Sequence, residues 1–209
     1  MKIIEPEVEL VDDFDAAAVM RKIEGAGRVC FKSEGNIKPE SAEKFIRGII
    51  KRGHESVIEH ACVSFKIVCD RGVTHELVRH RIASFSQEST RFCDYSAGKF
   101  GGELTFIRPC FWSPDDENFR LWRASMEFAE RNYLAMRAGG AKPEEARSIL
   151  PNSLKTEIFV TMNLRELRHF LKLRTDKAAH PQMRQIALKM LDILVEKLPA
   201  VFADIKPPT

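Results

Sequence analysis

Two stretches of strict alternation constrain this chain more than anything else in it. In "ACVSFKIVCDRG", Cys62, Ser64 and Lys66 alternate with Val63, Phe65 and Ile67, and Gly72 closes the run. In "LKTEIFVTMN", Ile158 and Val160 fall on one side, Phe159 and Thr161 on the other. Successive side chains of a strand point to opposite faces, so both stretches are predicted to be strands, the first half-exposed. Shorter strands are expected in "IIEPEVELVDD" and "ELTFIRP".

Elsewhere the period is helical. "AAAVMRKIEG" and "PESAEKFIRGIIKRG" carry it first, and in the second Pro39 and Gly53 stand where helix boundaries favour them. Residues 115–138 make the longest predicted helix, opening at "SPDDEN" with acids in the first turn. "VTHELVRH" places Val73, Leu77 and Val78 on a helical face, and "GGAKPEEARSIL" is a turn and short helix stopped at Pro151. "LRELRHFLKLR" and "QMRQIALKMLDILVEKL" are amphipathic helices, whereas "SAGKFGG" is a loop. Phe159, Val160, Phe170, Leu171 and Leu173 are assigned to packing. With no repeat or linker, residues 1–209 are read as one helix-dominated α/β domain of the α+β type.

Composition then removes several function classes. At 44% hydrophobic and 30% charged, the chain has the profile of a soluble globular protein. A net charge of +3 does not suggest a dedicated nucleic-acid binder. "MKIIEPEVEL" has acids where a signal peptide needs an apolar core, and no apolar run reaches membrane-spanning length, so a cytoplasmic location is expected. The five cysteines are irregularly spaced with no C-x-x-C, so each is expected to be a buried or half-buried thiol.

One stretch stands out chemically: "RHRIASFSQESTRF", residues 79–92, crowds cationic and hydrogen-bonding groups behind an apolar helix. No metal is expected. "HELVRH" spaces His75 and His80 by five residues, about 140° around a helix, instead of the four that put both on one face. His54 and His60 are six apart and fare no better. There is no G-x-S-x-G elbow and no phosphate-cradling glycine motif. What remains is an anion site: Arg79, Arg81 and Arg91 with the Ser84, Ser86, Ser89 and Thr90 hydroxyls, joined by Arg147 and Arg174 downstream. Guanidinium forks match phosphate oxygens, and hydroxyls add short bonds. On spacing alone, a solvated basic face explains the same residues equally well.

"RHRIASFSQES", an R-H-R followed by seven residues and Ser89, resembles the signature of the flavin-dependent thymidylate synthases. "RGHESVIEHACVSF" upstream and "ARSILPNSLKTEIFVTMNLRELRHFLKLRTDKAA" downstream resemble two further blocks of that family, so the resemblance covers residues 50–180 in order. It implies the family's own α/β fold, helices packed around a small sheet, assembled as a homotetramer with active sites at subunit interfaces. It further implies methylation of dUMP to dTMP, with 5,10-methylenetetrahydrofolate giving the carbon and FAD, reduced by NADPH, giving the hydride. No nucleic acid or membrane partner is implied. Matched residue by residue, His54, Ser56, Arg79, His80, Arg81, Ile82, Gln87, Asn163, Leu164, Arg165 and His169 would surround FAD. Glu76, Leu77, Val78, Arg79, Gln87, Glu88, Ser89, Thr90, Arg91, Arg147 and Arg174 would hold dUMP.

Three of these are the implied catalytic residues: Arg174 facing the uracil, Ser89 as a positioning hydroxyl, and His54 toward the flavin, paired there with His80. A fixed cation at Arg174 would stabilise negative charge developing on the pyrimidine. The chain departs from the pattern at Glu76, an acid where some members have glutamine, at His169, which replaces an amide, and at Ala178, where some have histidine. Two other readings stay open on sequence alone: a catalytically silent nucleotide-binding relative and a basic nucleic-acid-binding module.

Overall fold

The computed structural model describes residues 1–208. Strand β1 (Lys2–Ile4) pairs in parallel with β5 (Thr105–Ile107), Ile3 opposite Phe106. A second sheet has four strands in the order β2 (Glu7–Leu10), β3 (Cys62–Asp70), β6 (Lys155–Asn163), β4 (Ala83–Gln87). The two alternating stretches are thus its central strands. Along β6, Thr156, Ile158, Val160 and Met162 are buried and their neighbours are not, as the period of two requires.

The helices are α1 (Ala16–Val29), α2 (Ser41–Lys51), α3 (Arg71–Leu77), α4 (Glu117–Ala138), α5 (Pro143–Ala146), α6 (Leu164–Arg174), α7 (Pro181–Lys197) and α8 (Pro199–Phe202). Their ends follow local chemistry. Asp116 Oδ1 accepts from the Asn118 amide at the start of α4, and Asn163 Oδ1 accepts from the Glu166 amide at the start of α6. Proline opens α5, α7 and α8, where its missing N–H is no loss. Gly53, at φ +74°, ends the α2 segment in a conformation that a side chain would strain.

The chain forms two compact units. The first comprises Met1–Glu7, Ile67–Arg79 and Ser86–Phe159; the second comprises Val8–Lys66, His80–Phe85 and the chain from Val160 onward. The chain passes from one unit to the other within β2, β3, β4 and β6, and also between Arg79 and His80. The first unit is built around α4, with Leu104, Phe106, Met126, Tyr133, Ala146 and Leu154 in one apolar cluster. In the second, α1 packs on α2, α6 on α7, and α8 against both α2 and α7. Ile186, Met190 and Leu194, four residues apart along α7, supply part of that core with Phe170 and Leu171 of α6. Burying each such side chain stabilises the fold by about 1.5–3 kcal/mol.

Three packing expectations are corrected. Phe159 and Leu173 are exposed, because they fall on the outer sides of β6 and α6. Val78 is also exposed, lying one residue beyond the last turn of α3. Cys30, Cys62 and Cys110 are exposed, leaving Cys69 buried and Cys93 half-buried. Among the described residues no helix is long and apolar enough to cross a membrane.

Candidate functional site

The signature divides between the units. In the first, α3 carries Glu76, half-buried, and Leu77, whose side chain is in the core, and delivers Arg79 to the surface. At the end of β4 the Gln87 amide turns inward, donating to the hydroxyls of Thr74 at 3.0 Å and Thr156 at 3.2 Å. The Glu88 carboxylate is taken up as well: it accepts from the Tyr95 hydroxyl at 2.5 Å and from Lys155 Nζ at 2.9 Å. Lys155 also donates to Glu157 at 2.6 Å. Burial would lower the Lys155 pKa, but the bonds to Glu157 and Glu88 outweigh it and the ammonium is held above its ordinary value. Burial, with Glu88 adding to it, pushes the Tyr95 phenol well above its usual range. Arg71 Nη1 completes the network by donating to the Glu88 carbonyl and to Thr156.

Beyond this anchored pair the chain turns outward. Thr90 is buried, whereas Arg91 is exposed and its Nε donates to Glu144 of α5 at 2.9 Å. Glu144 lies three residues before Arg147, so the structure brings Arg91 to the segment that bears Arg147, also exposed. The Ser89 hydroxyl accepts from the Arg91 amide at 3.3 Å, and no base is bonded to it among the described residues. This is a turn-forming hydroxyl, without the partner that activates a nucleophile.

The second unit contains a cavity of about 570 Å³ lined by Glu55, Glu59, Ile82, Asn163, Arg165, Glu166, His169 and Lys172. Four residues of the expected flavin set, Ile82, Asn163, Arg165 and His169, therefore converge on one space. Leu164 is buried in the core and its amide donates to the Ala61 carbonyl. His54, Ser56 and Arg81 are exposed and are not among the residues lining this cavity. Charges at its wall are already balanced. Arg165 bonds Glu59 at 2.5 Å, and the buried Arg168 joins Glu55 to Asp204 of the C-terminal segment, at 3.2 and 2.6 Å.

His80 is buried in the second unit against α6, with Phe170 edge-on to its ring at 5.0 Å. Its Nδ1 lies 3.1 Å from Glu166 Oε1, and its Nε2 accepts from Arg174 Nε at 3.1 Å. Burial lowers the His80 pKa first; Glu166 works against that, while Arg174 and His169 add to it. Sequence reading placed no metal group here, yet His80, Glu166 and His169 bring three ligand-type atoms within 4.8 Å of one another. Both ring nitrogens of His80 are already engaged in hydrogen bonds, so a cation would have to displace one of them.

Sequence reasoning missed Glu55, Glu59, Glu166 and Lys172 in the cavity wall, and Tyr95, Lys155 and Arg71 beneath the signature. Only Glu166 left a usable trace: Glu166, Phe170 and Arg174 recur at four-residue spacing on a helix that was predicted.

Comparison with known proteins identifies the family. The family described as thymidylate synthase complementing protein matches residues 9–200. A flavin-dependent thymidylate synthase of Pyrococcus furiosus is 40% identical over 162 residues, 77% of this chain and 66% of that one, so this chain spans about two thirds of that relative's length. The enzyme of the same name from Geobacter sulfurreducens is 34% identical over 189 residues, 87% of this chain and 80% of the relative. A UMP/dUMP methylase from Streptomyces cacaoi, solved with 5-Br dUMP, superposes with a TM-score of 0.78 at 25% identity, covering 100% of both chains. Signature, fold and relatives coincide, and the chain belongs to the thymidylate synthase complementing proteins, the family of the flavin-dependent thymidylate synthases.

Proposed function

We propose that this protein is a flavin-dependent thymidylate synthase, working as a single catalytic domain in a cytoplasmic homotetramer. It converts dUMP to dTMP with 5,10-methylenetetrahydrofolate as carbon donor and releases tetrahydrofolate. The observation that carries this reading is the grouping of the two predicted residue sets. Four flavin candidates line one cavity of the second unit, while Arg91 and Arg147 of the dUMP set lie exposed in the first, with Arg79, a candidate for both ligands.

The cavity's residues suit FAD. Its volume of about 570 Å³ lies in the range of small-molecule and cofactor sites. Ile82 offers apolar surface, Asn163 a polar contact, and Arg165 a fork for a pyrophosphate. The Arg165–Glu59 pair is 53% and 44% exposed on its two sides, so solvent screens it and Arg165 can exchange Glu59 for phosphate. When bound, the flavin supplies the hydride and NADPH restores its reduced form.

The chain's own residues do the rest. Arg91 and Arg147 bind the dUMP phosphate, Arg91 exchanging Glu144 for it, and Arg79, with the exposed Val78 beside it, borders the same ligand. Glu76 and Leu77 contribute main chain and shape, and Gln87 and Glu88, tied inward, fix the strand end from which Ser89, Thr90 and Arg91 wrap the nucleotide. Ser89 positions. Arg174 holds a permanent positive charge opposite the uracil as C5 becomes nucleophilic. His54, Ser56 and Arg81, exposed in this chain, complete the flavin site at a subunit interface. A dTMP-formation assay with dUMP, methylenetetrahydrofolate and NADPH tests the reading. Product that depends on all three and on added FAD supports it; a protein that takes up no flavin and makes no dTMP refutes it.

A further inference from the structure

Glu166, His80 and Arg174 form a hydrogen-bonded chain along one side of α6, from the carboxylate through both ring nitrogens to the guanidinium. Arginine has no acceptor and stays protonated, so its Nε–H can only donate. His80 Nε2 must therefore carry the lone pair, and the ring proton sits on Nδ1, where Glu166 Oε1 accepts it at 3.1 Å. The opposite tautomer would set Nε2–H against the Arg174 Nε–H and leave the carboxylate facing a lone pair. The side chains of His80 and Glu166 are 5% and 9% exposed, so water cannot readily replace either partner. Phe170, between Glu166 and Arg174 on α6, packs edge-on against the ring and limits its rotation.

We propose that Glu166 is a positioning residue for the reaction: by fixing the Nδ1–H tautomer of His80, it sets the orientation of the Arg174 guanidinium plane. This rests on the proposed role of Arg174 at the uracil. The lowered pKa of His80, from burial first and then from Arg174 and His169 against the pull of Glu166, keeps the ring in the neutral form that the chain requires. The three-atom grouping with His169 has its simplest account here, since His80 has no ring nitrogen to spare for a cation.

Two measurements test this, one independent of turnover. Selective ¹⁵N-histidine labelling of the flavin-loaded protein, with His80 assigned by its loss in His80→Gln, should show the proton on Nδ1 and a bare Nε2. Glu166→Gln keeps the size of the side chain but replaces the charged, acceptor-only carboxylate with an amide that can also turn to donate, so Nδ1–H should lose its exclusive population and some Nε2–H form should appear beside it. Glu166→Asp, which keeps the charge, should restore Nδ1–H. In turnover at saturating FAD, Glu166→Gln should lower kcat by about 10- to 100-fold, as a misdirected catalytic group does, while KM for dUMP stays near wild type. In a His80→Gln background the same substitution should have no further effect.

Nε2–H in the wild-type protein, or unchanged kcat in Glu166→Gln, would overturn the proposal. A kcat that saturating FAD restores to wild type would also overturn it, by showing that Glu166 acts only through flavin binding. If Glu166→Gln does not fold, the wild-type spectrum and the Glu166→Asp kinetics still decide. A wild-type protein that makes no dTMP would instead defeat the functional reading and leave the tautomer assignment standing on the spectrum alone.

Discussion

The polar side chains of the two units are organised in opposite ways. In the first unit, Gln87 and Glu88 are consumed by an inward network through Thr74, Tyr95, Lys155 and Thr156, and what faces outward is a set of exposed arginines. In the second, polar groups line a cavity and are already paired, Arg165 with Glu59 in its wall and Glu55 with the buried Arg168, which is not among the lining residues. A fixed backbone with projecting forks suits a compact dianion that approaches from solvent. A walled space with matched charges suits a large, partly apolar dinucleotide that must sit still. On the proposed function, the same chemistry of arginine and carboxylate would hold the substrate phosphate in one region and house the cofactor in the other.

The difference can be broken at its strongest point first. Arg174→Ala should reduce dTMP formation by about 10²–10³-fold, as loss of a transition-state charge partner does, while flavin absorbance is retained. Retained turnover in steady-state assays would remove Arg174 from the chemistry. Next is the anchoring network of the first unit. Lys155→Met leaves the Glu88 carboxylate, whose side chain is 12% exposed, with one partner fewer, and should cost about 2 kcal/mol in urea unfolding. A variant as stable as wild type would show that the inward network is not what fixes the strand end. Ser89→Ala should raise KM for dUMP by about two- to tenfold, the worth of one ordinary hydrogen bond, with kcat largely kept. Abolished kcat at unchanged KM would make Ser89 a nucleophile after all.

The smallest effect separates the units by pH. Asp94 of the first unit is held well below the usual carboxylate range by its bonds to Arg137 and then Ser96. A depressed carboxylate stabilises the fold above its unfolded pKa of about 3.9, and that contribution is lost as pH falls below it. His80 of the second unit is likewise depressed, by burial first, so its contribution is lost from about pH 6.5 downward. Asp94→Asn should flatten the pH dependence of Tm only below about pH 4, and His80→Gln only below about pH 6.5. Identical profiles for the two variants would erase the distinction.

Much of the fold was legible because β3 and β6 declare themselves by strict alternation and α4 by its acidic opening and length. The short α8 and the 3-10 turn Glu55–His60 were not, since neither is long enough to show a period. At the site, residue types and order identified the arginines and the histidines, but not where each side chain points. Glu88 looks like a ligand in sequence and is a half-buried anchor in space. Phe159 looks like core and is exposed. Glu166 is the acid in the first turn of α6, and only tertiary structure sets it against His80, from a segment 86 residues away.

The proposed separation of the dUMP phosphate arginines from the flavin cavity is most directly tested by titrating dUMP and FAD separately into two double variants, Arg91→Ala with Arg147→Ala, and Arg165→Ala with His169→Ala. The first pair should lose dUMP binding and keep FAD, and the second should weaken FAD while a dUMP-binding surface persists. Loss of both ligands together in either double variant, with the fold intact, would contradict the assignment of substrate and cofactor to different regions.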